Sequence, residues 1–141
     1  MTKISLEMGS GGRLMRDFIA SRIVPRFKNP ILGELHDAAH LPWGIALTTD
    51  SYTVDPLFFP GGDIGTLCVN GTVNDLVVSG ARPSYLSLAL IIEEGLELEE
   101  LERILESIKK TARATSVEIV TGDTKVVPQG QGGKIYINTA G

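Results

Sequence analysis

The chain is poor in cysteine. Cys68 stands alone, so no disulfide can form within these 141 residues and the fold must rest on packing, as suits a reducing cytoplasm. Nor is there a cluster of basic residues: 13 Lys and Arg against 17 Asp and Glu give a net charge of -4. That balance excludes a protein that grips a nucleic-acid backbone, and leaves any anionic ligand to local donors or a metal. No apolar run approaches the roughly 18 residues that a membrane span needs, and the first residues carry no basic-then-apolar signal. The reading is a soluble, untargeted cytoplasmic chain with no nucleic acid and no membrane as partner. Histidine is scarce too. His36 and His40 are four apart, but with no Glu beside the first and no third ligand near them they read as surface residues rather than a zinc site. No internal repeat is present.

Glycine, in contrast, is plentiful. The 16 glycines cluster beside acids, Ser and Thr, which points to loops that approach something closely. One such cluster opens the stretch 61–83. Gly61 and Gly62 precede Asp63, a natural N-cap; Gly80 tolerates left-handed geometry and Pro83 forbids continuation, so a helix is predicted between them. Ile64, Leu67, Cys68, Gly71 and Leu76 fall near helical spacing and form the expected buried stripe. Asp75, seven residues after Cys68 and four after Gly71, points along that same side. A buried carboxylate needs a partner, either an ion pair or cap from a neighbouring loop, or water and ligand at the floor of a cleft.

The other elements follow from periodicity and punctuation. Residues 3–6 are expected to form a short edge strand. Met8-Gly9-Ser10-Gly11-Gly12-Arg13 then opens into a helix over 14–23, an order that suits a phosphate or a plain turn. Three prolines make 25–42 a connector, and 43–47 reads as a strand that leaves Asp50 at its end, as a functional side chain or a turn former. The proline-broken apolar segment 52–60 is expected to pack against a neighbour. The run 84–92 reads as a strand buried on both sides. Residues 93–113 form an amphipathic helix with Leu98, Leu101, Ile104, Leu105, Ile108 and Ala112 inward. A strand over 116–120, a turn over 121–125, a glycine hairpin over 130–133 and a last strand over 134–138 complete the chain. One domain of class α+β results.

Asp50, Asp63, Asp75 and Asp123 thus occupy comparable places, flanked by Gly, Thr or Asn. Hard oxygen ligands of this kind suit Mg2+ bridging to nucleotide phosphates. Lys125, two residues after Asp123, points the same way along an extended segment and can neutralise a phosphate or a transferred group.

Several motifs carry a resemblance: Gly9-Ser10-Gly11-Gly12-Arg13, Thr48-Thr49-Asp50-Ser51, Pro56-Leu57-Phe58-Phe59-Pro60-Gly61-Gly62-Asp63-Ile64-Gly65, Gly71-Thr72-Val73-Asn74-Asp75-Leu76, Gly80-Ala81-Arg82-Pro83 and Gly122-Asp123-Thr124-Lys125-Val126-Val127. The chain resembles the N-terminal domain of the HypE family of hydrogenase expression/formation proteins, within the aminoimidazole ribonucleotide synthetase (PurM)-like superfamily. The resemblance implies a mixed four-stranded sheet with helices on one face, two sheets pairing into a barrel-like homodimer core. It implies ATP and Mg2+ as cofactors, with Asp50, Asp63, Asp75 and Asp123 as metal ligands. Gly9, Ser10, Gly11, Gly12, Asn74 and Thr124 join those aspartates in nucleotide binding, the glycine loop closing over the phosphates from its own or the partner subunit. Lys125 and Asp123 would be the catalytic pair.

The implied reaction is the ATP-dependent dehydration of a carbamoylated C-terminal cysteine to a thiocyanate. The carbamoyltransferase HypF loads that cysteine, and the cyanide passes to nickel-iron hydrogenase through HypC and HypD. Residues 1–141 would be the ATP-binding and dimerisation domain, with the second domain and cysteine-bearing tail outside them. Cys68, on a buried helix side, is expected to be inert core and no substitute for that tail, so these residues alone would dimerise and bind nucleotide without completing the reaction. Two alternatives stand beside this one: a small-molecule kinase or synthetase of the same superfamily, and a dimerisation module with a degenerate nucleotide site.

Overall fold

The computed structural model describes residues 3–141. Its helices are α1 (Gly12–Phe18), α2 (Pro30–Gly33), α3 (Ile64–Val78) and α4 (Leu98–Ala114). Its strands are β1 (Ala39–Leu41), β2 (Ile45–Leu47), β3 (Thr49–Tyr52), β4 (Phe58–Phe59), β5 (Gly62–Asp63), β6 (Tyr85–Glu93), β7 (Glu118–Val127) and β8 (Ile135–Ala140). The main sheet runs in the order β3-β8-β6-β7. It is mixed: β6 and β7, joined through α4, run parallel, while β8 is antiparallel to both β3 and β6. Two small hairpins, β1-β2 and β4-β5, flank it.

Helix α3 begins and ends where its capping signals lie. Asp63 accepts a hydrogen bond from the Thr66 amide at 2.8 Å, and Gly80 follows the last turn with φ 80°. The buried stripe is Ile64, Gly65, Cys68, Val69, Thr72 and Leu76. Leu67, expected inside, is 38% exposed, because the stripe runs through 65, 68, 69 and 72 and leaves residue 67 on its flank. At Gly65 a side chain would meet the Ile104 carbonyl at 2.6 Å, so α3 and α4 approach there backbone to backbone. Ile104, Ile108 and Ala112 form the buried edge of α4, while Leu98 and Leu105 face solvent.

Both helices cover the same face of the sheet. Strand periodicity sends Leu86, Leu90, Ile135 and Ile137 into the core that they share with Ile64, Cys68, Ile104 and Ile108. The alternate residues of β6 have no cover: Tyr85 is 60% and Ile91 42% exposed, so the strand expected to be buried on both sides is buried on one. Strand β7 is exposed along almost its whole length, and the 121–125 segment expected as a turn lies inside it.

The N-terminal part departs most from expectation. Residues 3–5 form no strand; a 3-10 turn at Leu6–Gly9 leads into α1, a π-turn at Ile19–Ile23 and a second 3-10 turn at Val24–Arg26, none with a buried residue. Trp43 sits in a further 3-10 turn at φ 65°, which shortens the predicted 43–47 strand to β2. The apolar 52–60 segment closes as the β4-β5 hairpin, with the Arg103 guanidinium 3.9 Å above the Phe58 ring. His36 and His40 lie edge to face with ring centroids 6.3 Å apart, and His36 Nδ1 is 3.5 Å from Glu34.

Candidate functional site

Asp75 lies near the end of α3, half-buried, where helical periodicity puts it. A chain of buried hydroxyls sets the rotation of that helix against the sheet. Tyr52 on β3 bonds Thr72 at 3.1 Å, Thr72 bonds Thr139 on β8, and Thr139 donates to the Cys68 carbonyl at 3.1 Å. Burial pushes the Tyr52 phenol up to about 12, so it stays a neutral hydrogen-bonding group. Gly71 is forced by the same contact: any side chain there would run into the Tyr52 hydroxyl. With Thr72 turned inward, Asp75 three residues later comes to the margin of the sheet beside β3.

There it meets Asp50, the second residue of β3, which pairs with Thr139 and therefore lies on the helix-covered face. Desolvation raises the Asp75 carboxyl above the usual carboxylate range and the Asp50 charge raises it further. A bond from the Thr48 hydroxyl, 3.4 Å from Asp75 Oδ2, opposes them, and Asp37 adds a further upward push. Asp37 also receives the Thr48 hydroxyl on its backbone carbonyl at 2.8 Å. Sequence reading passed over this third acid because it sat in a proline-rich connector. No local signal in the sequence marks it; the structure ties the segment to the body through the neighbouring Ala38, only 1% exposed. Asp50 and Asp75, both half-buried, repel each other, and the exposed Asp37 adds a smaller push. A hard divalent cation such as Mg2+ would relieve that repulsion, so these two carboxylates fit part of the ligand set of such an ion.

The remaining expected ligands stand elsewhere. Asp63 is occupied as a structural group: Oδ1 accepts from the Thr66 amide and hydroxyl, and Oδ2 from Ser107 of α4. Twelve residues of helix separate it from Asp75, about 18 Å at 1.5 Å per residue. Asp123 and Lys125 lie on β7 opposite Ala89 and Ile91, on the bare face of the sheet. The Lys125 ammonium sits 2.7 and 2.8 Å from the two Asp123 oxygens and holds that exposed carboxyl below the usual range. Thr124 alternates to the other face, and Asn74 is exposed on α3. Gly9, Ser10, Gly11 and Gly12 lie on the N-terminal arm, whose principal contacts are internal, with α2 touching β1. Among the described residues no group of three or more His, Cys, Asp or Glu side chains is placed to hold a metal ion. The expected four-aspartate ligand set is therefore not assembled within a single chain, because α3 separates Asp63 from Asp75 and the sheet separates Asp123 from both. Cys68 is fully buried, its thiol pushed up to about 12 by desolvation and then by Asp63, which leaves it unreactive.

Residues 35–141 match the AIR synthase related protein, N-terminal domain. The chain belongs to that family. Among curated members it is 50% identical over its whole length to carbamoyl dehydratase HypE of Escherichia coli (strain K12), of which it covers 44%. Over 97% of its length it is 46% identical to carbamoyl dehydratase HypE of Azotobacter vinelandii, covering 42% of that protein. Its fold matches the crystal structure of a HypE-HypF complex with TM-score 0.83 and 50% identity, over 87% of this chain and 40% of that one. It also matches HypE in complex with ATP, with TM-score 0.67 and 56% identity over 98% of this chain and 42% of that one. The PurM-like fold is shared further: the ThiL protein complexed with AMPPCP and TMP aligns with TM-score 0.74 at 21% identity, over 93% of this chain and 43% of that one. The chain thus spans about two fifths of the length of these relatives. Among the described residues no helix is long and apolar enough to cross a membrane.

Proposed function

We propose that these residues form the ATP-binding and dimerisation domain of an ATP-dependent carbamoyl dehydratase, which converts a protein S-carboxamide cysteine to a thiocyanate for the cyanide ligands of nickel-iron hydrogenase. The observation that carries this reading is the meeting of Asp50 and Asp75 at a half-buried margin, in a fold whose relatives include HypE in complex with ATP. In the reaction ATP supplies the phosphoryl group that turns the carboxamide oxygen into a leaving group. Departure of phosphate with both amide protons leaves carbon triply bonded to nitrogen, and the balance is S-carboxamide plus ATP to thiocyanate, ADP and phosphate.

Asp50 and Asp75 would hold Mg2+, which would supply positive charge to offset that of the nucleotide phosphates. Lys125 neutralises charge on the activated oxygen, and Asp123 orients the Lys125 ammonium. Asn74, Thr124 and the residue 9–12 loop complete the nucleotide site, the loop folding over the phosphates on an arm that is free of the sheet. Asp63 serves this site from a distance, as the cap that fixes α3. The carboxamide-bearing cysteine comes from outside these 141 residues, since the one cysteine present is buried and unreactive. HypF, the partner in the relative's complex, loads that cysteine, and a HypC-HypD complex receives the product. The setting is the cytoplasm.

The bare face of the sheet, with Tyr85 and Ile91 exposed beside the free edge of β7, supports a homodimer whose sheets close into a barrel-like core and bring Asp123 and Lys125 of one copy toward the nucleotide. Calorimetric titration of the chain with ATP, with and without Mg2+, tests the nucleotide site. Magnesium-dependent heat that disappears in Asp75→Asn is expected, and equal heat in the two proteins would overturn the assignment. A single-chain mass in light scattering at micromolar concentration would overturn the dimer.

A further inference from the structure

Strands β7 and β8 are consecutive in the chain but lie on opposite sides of β6, so the segment between them, residues 128–134, must cross over the end of that strand. Glu93, the last residue of β6, lies beneath the crossing. Its carboxylate accepts the amides of Gly130 at 2.7 Å, Gly132 at 2.9 Å and Lys134 at 3.2 Å. Its own amide donates to the Lys134 carbonyl at 2.8 Å, and the Glu94 amide to the Val127 carbonyl at 2.9 Å. Five bonds from two consecutive residues therefore hold the crossing.

The crossing needs holding. Gly130 and Gly133 have φ 86° and 51°, and Lys134, a residue with a side chain, has φ 73°. A side chain at Gly132 would come within 2.9 Å of Val127 and 3.2 Å of Glu93, so the connection lies directly on the strand it crosses. The three amides converge as a glycine-rich nest, and the ligand of that nest is the chain's own carboxylate. Ionised, Glu93 offers only acceptors, which matches three donors. The amides in turn lower its carboxyl below the usual range, so the latch is charged at neutral pH.

What the latch holds is β7. That strand is the edge of the main sheet; among the described residues it pairs with β6 alone, and all its residues but Val127 are exposed. Its last pairing is Glu93 with Val127, two residues beyond the pairing of Ile91 with Lys125. We infer that Glu93 is a positioning residue, a carboxylate latch that fixes the β7–β8 crossing and through it holds the strand bearing Asp123 and Lys125 at the distance their roles require. The inference deepens the proposed dehydratase reading and rests on it for its catalytic arm, while its structural arm stands on geometry alone.

Amide hydrogen exchange on the protein and on Glu93→Gln tests it. Gln keeps the size and one acceptor oxygen but turns a donor toward the amides. Exchange over 121–127 and 128–135 is expected to quicken by about tenfold, with α3 and α4 unchanged as the sign of an intact fold. In the same variant joined to the second domain and carbamoylated cysteine tail that the proposed function requires, kcat for ATP-dependent dehydration is expected to fall about tenfold with KM for ATP changed less, since Asp50 and Asp75 lie on the other face. Unchanged exchange over 121–127 overturns the latch. Faster exchange with undiminished kcat overturns the positioning role. A native protein completed with that domain and tail but without dehydratase activity would sink the functional reading, and the exchange comparison would then decide the latch by itself.

Discussion

The two faces of the main sheet are made from similar residues and meet different fates. On one, Leu86, Ile135, Ile137 and Thr139 are each no more than 1% exposed beneath α3 and α4. On the other, Tyr85 and Ile91 of the same strand β6 stand in the open beside Asp123 and Lys125 of β7. Apolar composition therefore does not tell which face is core; α3 and α4 do, because both pack on one side. The division also splits the chemistry. Asp50, Asp75 and Asp37 gather at the margin of the covered face, and the Asp123–Lys125 pair lies on the bare one. An active site that needs all of them requires something to bring the two faces together, and a second copy closing over the bare face would do so.

The contrast is sharpest in the response to truncation. Leu86→Ala empties a closely packed volume and is expected to cost about 3 kcal/mol, while Ile91→Ala, one strand position class away on the open side, is expected to cost well under 1 kcal/mol in a single chain. Thermal unfolding at several protein concentrations checks both. A loss at Ile91 as large as that at Leu86, with a midpoint that rises with concentration, would show the bare face to be buried by a second copy. Gly71→Ala comes next: its methyl group collides with the Tyr52 hydroxyl, and over-packing at a buried hydrogen-bonded chain is expected to cost roughly 1–3 kcal/mol. Asp63→Ala follows at roughly 1–2 kcal/mol, from the lost cap on α3 and the stranded Ser107 hydroxyl. Its signature is a loss that Mg2+ neither deepens nor repairs; a magnesium-dependent loss would return Asp63 to the ligand set.

Much of this architecture was legible before any coordinates. The limits of α3 follow from Asp63 and Gly80, and the existence of α4 from its spacing, because local capping and periodicity suffice for helices that pack along one stripe; α4 starts at Leu98 rather than at residue 93, because Glu93 is drawn into β6. The inward turn of Asp75 was legible for the same reason. What escaped were features decided across the chain. Residue 121 onward carries turn-like Thr-Gly-Asp-Thr, yet it is drawn into β7 by pairing with β6, and Gly122 is there because any side chain would strike the Leu88 backbone. Asp63 was legible as a cap but looked like the other three aspartates in its flanking residues; its contact with Ser107, 44 positions away, shows that its second oxygen is also taken. Asp37 went unnoticed because nothing local distinguishes it, and Thr48, 11 residues on, is what draws it in.

The smallest effect expected is the most informative about the covered face. In the folded chain the Asp75 carboxyl is raised above its unfolded value, by burial first and by Asp50 second, so folding favours its protonated form. That contribution is fully present below the unfolded value and is lost as pH rises through the raised folded value. Asp75→Asn has no such proton to lose, so from acid toward neutral pH the native chain should fall in stability relative to the variant. Urea unfolding of the two proteins across that range is expected to show the variant equal or more stable at neutral pH, with the gap closing on the acid side. Mg2+ with ATP should then reverse the order at neutral pH, because a cation between Asp50 and Asp75 stabilises the charged form that folding alone disfavours. A gap that ignores both pH and magnesium would mean that the Asp75 charge is already compensated inside the chain, and the covered face would lose its claim to the metal.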